Sequence, residues 1–186
     1  IISFAGGFPD SAMFDVAGIQ AATLQALQEE PGAALQYGAT EGYNPLREQL
    51  AAFMASKGCK DVASDNLIVT TGSQQALDLL GKTMISPGDK VIVEGPTFLA
   101  TIQCFRLYGA QLISAPIDAH GVQVDKLEAL IAEHKPKLVY LIPTFGNPSG
   151  ATLSLERRKK VLELAVKYQT LVVEDDPYGD LYFNAA

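Results

Sequence analysis

Apolar positions along this 186-residue chain change their spacing in a regular way, and the changes mark out its elements. From Val16 to Glu29, Ile19, Leu24 and Leu27 recur at helical spacing, and Pro31-Gly32 supplies a stop. Asn44 reads as an N-cap with Pro45 at the first helical position. Leu46, Leu50, Phe53 and Met54 then share one helix face until Gly58 ends it. From Asn66 the rhythm becomes strand, turn, helix. The β-branched run LIVTT (67–71) predicts a strand, and 73–85 predicts a helix with Ala76, Leu77, Leu80 and Met84 on one side. Pro87-Gly88-Asp89 is a turn into the strand VIVE (91–94). A helix over 97–108 stops at Gly109, and QLISAP (111–116) is the next strand. A helix over 124–134 turns Leu127, Leu130 and Ile131 inward. LVYLI (138–142), a helix over 154–168 and LVVE (171–174) complete the series. Ser154 with Arg157 three residues on is an incomplete capping box.

These strands are unbroken apolar runs, not alternating ones, as in a parallel sheet covered by helices on both faces. Crossovers of about 20–30 residues fit right-handed βαβ units. The expected fold class is α/β: a three-layer α/β/α sandwich with a mainly parallel sheet. No repeat, low-complexity tract or flexible linker interrupts it. The basic run 157–160, flanked by Glu156 and Glu163, reads as a solvated helix face.

Composition narrows the function classes. Lys plus Arg is 14 against 21 Asp plus Glu, a formal charge of −7. Without a basic stripe, neither nucleic acid nor an anionic membrane is an expected partner. No apolar run approaches the roughly 20 residues of a bilayer span. The opening IISFAGGFPD has no charged region before a long apolar stretch, so no signal peptide is expected there. Cys59 and Cys104 have no metal or redox spacing and read as reduced thiols of a cytoplasmic protein, with no metal site. A chain of this length buries roughly 70% of the surface its unfolded form exposes, enough for one sizeable core.

In an open α/β sheet, ligands bind outside the carboxyl ends of the strands, so the residues following each strand are the candidates. Gly72-Ser73-Gln74 opens a helix straight from a strand, where free N–H groups and the helix dipole favour an anion. A plain N-cap by Ser73 is the alternative. The segment matches neither GxxxxGK[ST] nor GxGxxG. Phe98 offers a planar ring to stack on a flat cofactor, or simply packs in the core. Asn147 can donate an amide hydrogen to a phenolate-type oxygen, or serves its Asn-Pro turn. Asp175 ends an apolar strand, where partial desolvation calls for a cationic partner such as a protonated ring nitrogen. An N-cap or a loop salt bridge is the other reading of Asp175. Tyr178 follows three residues later.

Taken together, FAGGFPD, LQYGATEGYNPLREQLA, TTGSQQAL, EGPTFLA, PTFGNPSG and VEDDPYGDL resemble the fold-type-I pyridoxal-phosphate enzymes, in particular the class I/II aminotransferases. The resemblance covers essentially the whole chain and is nearest in look to the aminoadipate, aromatic and multi-substrate group. It implies a cofactor, pyridoxal 5'-phosphate, and transfer of an amino group between an amino acid and a 2-oxo acid. Asp175 then matches the carboxylate paired with the pyridinium nitrogen, which keeps the ring an electron sink. Asn147 and Tyr178 match the residues that bond the phenolic oxygen. Phe98 matches the stacking aromatic, and Gly72, Ser73 and Gln74 match the phosphate cup. Tyr37 matches the tyrosine that reaches the phosphate in the neighbouring subunit, which implies a homodimer with shared active sites. Gly6 and Gly7 match the loop over the substrate carboxylate, where Asn147 also contributes. Arg47 reads as structural.

Gly146 and Ser149 stand where Gln and Thr are common in this family. A larger departure is that the Schiff-base lysine, expected after the Asp-x-x-Tyr motif, is not in this chain. The ten lysines present (57, 60, 82, 90, 126, 135, 137, 159, 160 and 167) fall on helices, turns or strand starts. The substrate-carboxylate arginine of the C-terminal small domain is missing too. The expected division is residues 1–15 as an N-terminal small-domain segment and 16–186 as the N-terminal part of the cofactor-binding large domain. The remainder of its own chain is then a partner, and a clip after Phe183 is one way the two could be separated. The fragment by itself is expected to be inactive, and strand 67–71 is expected to lack its sheet neighbour. Two other functions remain open: the effector-sensing domain of a transcriptional regulator, and a pyridoxal-phosphate lyase or decarboxylase.

Overall fold

The computed structural model describes Ile2 and residues 6–182. The expected clip position after Phe183 lies outside them. The chain divides into two compact units, Ile1–Val69 and Thr70–Ala186.

The first unit is helical. A 3-10 turn at Ser11–Met13 precedes α1 (Val16–Glu29), α2 (Pro31–Leu35) and α3 (Asn44–Ser56). Asp15 caps α1, its side chain accepting the Gly18 N–H at 2.8 Å. Pro31 ends one helix and occupies the first turn of the next, which is why the expected stop is also a start. The apolar stripe of α1 is exposed at Ile19, Leu24 and Leu27. Tyr43, not Asn44, is the N-cap of α3, and it hydrogen-bonds Glu30 Oε2 through its hydroxyl at 2.6 Å. Arg47 is buried and donates to the Ser64 carbonyl at 3.0 Å and to Asn44 Oδ1 at 3.1 Å. It thereby ties α3 to the 3-10 turn Ser64–Asn66, the structural part expected of it.

Among the described residues the second unit holds five strands and four helices: α4 (Gly72–Met84), β1 (Lys90–Gly95), α5 (Leu99–Leu107), β2 (Gln111–Asp118), β3 (Gly121–Val122), α6 (Val124–His134), β4 (Leu138–Leu141), α7 (Leu155–Tyr168) and β5 (Leu171–Glu174). The sheet order is β3-β2-β1-β4-β5. All neighbours run parallel except the short β3, which pairs antiparallel with β2. Successive strand residues point to opposite faces, so each strand supplies two cores. Val91, Val93, Leu138, Tyr140 and Ile142 face Leu77 of α4 and Cys104 and Phe105 of α5. Ile92, Val139 and Leu141 face Leu127 and Ile131 of α6 and Val161 and Leu164 of α7. That is the expected α/β/α sandwich.

Two further expectations are corrected. The run 67–71 forms no strand among the described residues. Its Val69 N–H goes to the Glu41 carbonyl at 2.9 Å. β-branched residues favour a strand only where a neighbouring strand supplies the ladder. The basic run 157–160 is not uniformly solvated. Arg157 makes a two-pronged pair with Asp118 at 2.7 and 2.8 Å and also donates to the carbonyls of Gly121 and Val122. Arg158 reaches the carbonyls of Pro143 and Leu153. Only Lys159 and Lys160 are exposed. Helical periodicity turns the first two back toward the sheet, which an unbroken charge run conceals.

Candidate active site

Parallel strands deliver their carboxyl ends to one edge, and three adjacent ends meet there: β1, β4 and β5. β1 leads into Pro96-Thr97-Phe98, β4 into the loop 142–150, and β5 into Asp175 and Tyr178. Helix α4 precedes β1 through the turn at 86–89 and packs Leu77 against Val91 and Val93. Running antiparallel to β1, it brings Gly72-Ser73-Gln74 to the same edge. The lysines of the strands sit at the opposite end, where the Lys137 N–H donates to the Lys90 carbonyl at 2.8 Å.

Helix α4 starts without a side-chain cap. Thr71 is the N-cap residue, so Ser73 lies inside the first turn and does not cap it. Gln75 Oε1 accepts the Thr71 N–H at 2.6 Å, and Thr70 O accepts the Gly72 N–H at 2.9 Å. Gly72 takes φ +75°, a conformation open to glycine at little cost. A 13-residue helix with an exposed, uncapped first turn presents N–H groups and a partial positive charge, which suits a phosphate.

Phe98 is half-buried and packs on the same core as Leu77, at the N-cap of α5. Asn147 is half-buried within a tightly closed loop. The Gly146 N–H donates to the Ala151 carbonyl at 2.8 Å, the Gly150 N–H to the Gly146 carbonyl at 2.6 Å, and the Leu153 N–H to the Pro143 carbonyl at 2.8 Å. The peptide between Asn147 and Pro148 is cis, as is that between Gly95 and Pro96.

Asp175 is half-buried, and its N–H donates to the Leu141 carbonyl at 2.9 Å, one step past the β4–β5 ladder. Neither an N-cap nor an ion pair involves it among the described residues. Its carboxylate accepts a hydrogen bond from the Tyr140 hydroxyl at 2.6 Å. Val173 packs on the α4–α5 face, so Asp175, two residues on, points to that face as well. Phe98, the α4 N-terminus, Tyr140 and Asp175 therefore share one face at one sheet edge. Tyr178 is half-buried, three residues beyond Asp175. Gly6, Gly7 and Tyr37 belong to the first unit, and all three are exposed there.

Two supporting groups did not stand out in the sequence. Glu94 is buried at the end of β1, and its Oε2 accepts the Ile142 N–H at 2.8 Å. Burial pushes its carboxyl above the usual range, and the Ile142 N–H partly opposes that. VIVE carries the same signal as the Asp175 strand, an acid closing an apolar run. Tyr140 is the one residue of LVYLI with a polar tip.

Among the described residues no group of three or more His, Cys, Asp or Glu could hold a metal ion, and no helix is long and apolar enough to cross a membrane. Cys59 is exposed and Cys104 buried, and neither is in a disulfide.

The family model for aminotransferase class I and II matches residues 5–186. An aromatic-amino-acid aminotransferase from Thermococcus litoralis is 43% identical over 99% of this chain and 45% of its own length. The structure of a kynurenine aminotransferase from Pyrococcus horikoshii, in complex with PMP, superposes with a TM-score of 0.92 at 43% identity, covering all of this chain and 47% of that one. An alpha-aminoadipate aminotransferase from Thermus thermophilus, complexed with N-(5'-phosphopyridoxyl)-L-leucine, gives 0.91 at 39% identity, over 98% of this chain and 46% of that one. The chain thus spans about half the length of these relatives.

Proposed function

The chain belongs to the class I and II aminotransferase family, and from that premise we propose that its residues form most of a pyridoxal 5'-phosphate pocket. The protein containing them moves an amino group between an amino acid and a 2-oxo acid. One observation carries this reading: the Asp175 carboxylate, the Phe98 ring and the uncapped α4 N-terminus lie on one face at one sheet edge. An anion site, a flat hydrophobic wall and a fixed carboxylate fit a phosphorylated, protonated aromatic ring.

When bound, pyridoxal phosphate supplies an electron sink for the carbon that loses its proton. Asp175 would accept the ring N–H and keep that nitrogen cationic. Phe98 would stack on the ring. Asn147 and Tyr178 would donate to its phenolic oxygen. Gly72, Ser73 and Gln74 would hold the phosphate, joined by Tyr37 of a second copy in a homodimer. Gly6 and Gly7 would pass over the substrate carboxylate. Residues 1–15 would belong to a smaller domain and 16–186 to the large one. The lysine that binds the cofactor covalently would come from outside these 186 residues, and the assembly would be cytoplasmic. Names of relatives point to aromatic amino acids and 2-aminoadipate as the amino donors to try first.

The test is turnover of the full-length protein loaded with pyridoxal phosphate, given an aromatic amino acid or 2-aminoadipate with and without a 2-oxo acid. Consumption of the donor should require the 2-oxo acid and yield its amino acid in equal amount. Consumption without the acceptor would mean elimination or decarboxylation. No consumption with any donor would favour a sensing module.

A further inference from the structure

We propose that Tyr140 is a positioning residue that holds the Asp175 carboxylate in line for the cofactor ring nitrogen. The proposal rests on the reading of Asp175 given above.

Tyr140 lies in the middle of β4 and is fully buried. Its ring meets Phe105 of α5 edge-on, with centroids 6.0 Å apart and planes at 89°. That contact fixes where the hydroxyl points. In the parallel ladder Tyr140 is level with Val173, so Asp175 is its diagonal neighbour on the same face. An aromatic side chain spans such a diagonal, and the Tyr140 hydroxyl donates to Asp175 Oδ2 at 2.6 Å. The Asp175 backbone is held separately, by its N–H on the Leu141 carbonyl.

With Oδ2 engaged, rotation of the carboxylate about its own axis is restrained, and Oδ1 is left for the ring N–H. Hydrogen bonds to an ionised acceptor are short and roughly twice as strong as neutral ones. Burial first, then the bond to Asp175, raises the Tyr140 hydroxyl far above the ordinary phenol range, while Thr101 on α5 acts in the opposite direction. Both raising effects favour the protonated, donating form of Tyr140. Its role is to aim a carboxylate, and it takes no proton from substrate.

The experiment is Tyr140→Phe in the full-length protein loaded with pyridoxal phosphate labelled with ¹⁵N in the ring. Phenylalanine keeps the contact with Phe105 and removes only the donor. The expected results are two. The ring ¹⁵N signal moves toward that of the unprotonated ring, and the cofactor dissociation constant rises about tenfold, the order of one hydrogen bond to a charged group. An unchanged ¹⁵N signal overturns the proposal, even if affinity or stability falls, because a purely structural tyrosine would leave the ring nitrogen as it was. Asp175→Asn is measured alongside. If that variant leaves the ¹⁵N signal unchanged, the reading of Asp175 itself fails. If it moves the signal and Tyr140→Phe does not, only the present proposal fails. Should Tyr140→Phe fail to fold, 3-fluorotyrosine at position 140 keeps the shape and alters the acidity of the donor. It must then move the same signal, and no movement overturns the proposal.

Discussion

The Arg158 guanidinium donates through Nη2 to the Pro143 carbonyl at 2.9 Å, so helix α7 grips the strand-end loop that carries Asn147. The same nitrogen reaches Thr144 Oγ1 at 2.9 Å, and Nε reaches the Leu153 carbonyl at 2.9 Å. A planar fork meets these separate acceptors at once, which a lysine ammonium does not match. Arg158→Ala should therefore destabilise the fold by about 1–3 kcal/mol, because the Leu153 carbonyl loses its donor and the Pro143 carbonyl keeps only the Leu153 N–H. Arg158→Lys should recover only part of that loss. Chemical denaturation of both variants checks it, and equal stability of Lys and Arg at this position would contradict the fork argument.

Asp118 and Arg157 make the acid limit of the unit predictable. Two guanidinium hydrogen bonds, then the His120 N–H, hold the Asp118 carboxyl down at about 2. A depressed carboxyl stabilises the fold at every pH above its unfolded value near 4, and that contribution is lost as pH falls toward 2. Asp118→Asn should cost stability at pH 7. Its deficit against the wild type should shrink between about pH 4 and pH 2. Denaturation midpoints of both proteins across that range are the measurement, and a constant deficit would mean that packing, not charge, is what asparagine loses.

Gly121 begins β3 at φ +85°, with the Leu153 Cα 2.9 Å from where a Cβ would stand. Backbone cannot step aside as a flexible side chain could. Gly121→Ala should combine left-handed strain, roughly 1–2 kcal/mol, with a crowded contact of about 1–3 kcal/mol. The total expected loss of about 2–5 kcal/mol is read from urea denaturation. A loss below about 0.5 kcal/mol would show that β3 shifts freely.

How far the fold was legible follows from what each signal depends on. Strands β1 and β4 were visible because burial on both faces forces unbroken apolar runs such as Leu138–Leu141, and β2 and β5, which are less buried, were visible as short apolar runs bounded by turns. The run 67–71 carries the same signal and forms no strand, because pairing is a non-local property. β3 has only Gly121 and Val122 and carries no periodicity to read. At the candidate site, the strand-end placement of Asp175, Asn147 and Phe98 was legible because strand ends can be located in sequence. The supports were not. Tyr140 reaches Asp175 across 35 positions, and Glu94 reaches Ile142 across 48. Such links exist only once the strand order is known.

Glu94 sets a dependence of opposite sign to Asp118. Burial raises its carboxyl above the ordinary value. A raised carboxyl favours the fold most below its unfolded value, and that contribution is lost as pH rises through the folded one. Glu94→Gln keeps an oxygen for the Ile142 N–H and buries no charge. The variant should be at least as stable as the wild type at pH 7–8, with its advantage vanishing as the medium is acidified to about pH 4. Thermal melts at the two pH values decide it. A variant less stable at pH 8 would show that the ionised carboxylate is needed at the end of β1.

The open first turn of α4 yields the sharpest test of the phosphate assignment. Gly72 takes φ +75°, and a Cβ there meets nothing within 4 Å. Alanine is therefore opposed only by backbone strain, about 1–2 kcal/mol, which it relieves by moving the first turn. Moving that turn redirects the N–H groups of Ser73 and Gln74 and leaves the aromatic wall and Asp175 in place. Gly72→Ala should weaken binding of pyridoxal 5'-phosphate about tenfold, the free-energy equivalent of that strain. It should barely change binding of pyridoxal, which has no phosphate to lose. Equilibrium titration of the full-length protein with both compounds measures the contrast. An equal loss for the two would place the phosphate elsewhere, because only a group seated on the helix N-terminus senses the displacement.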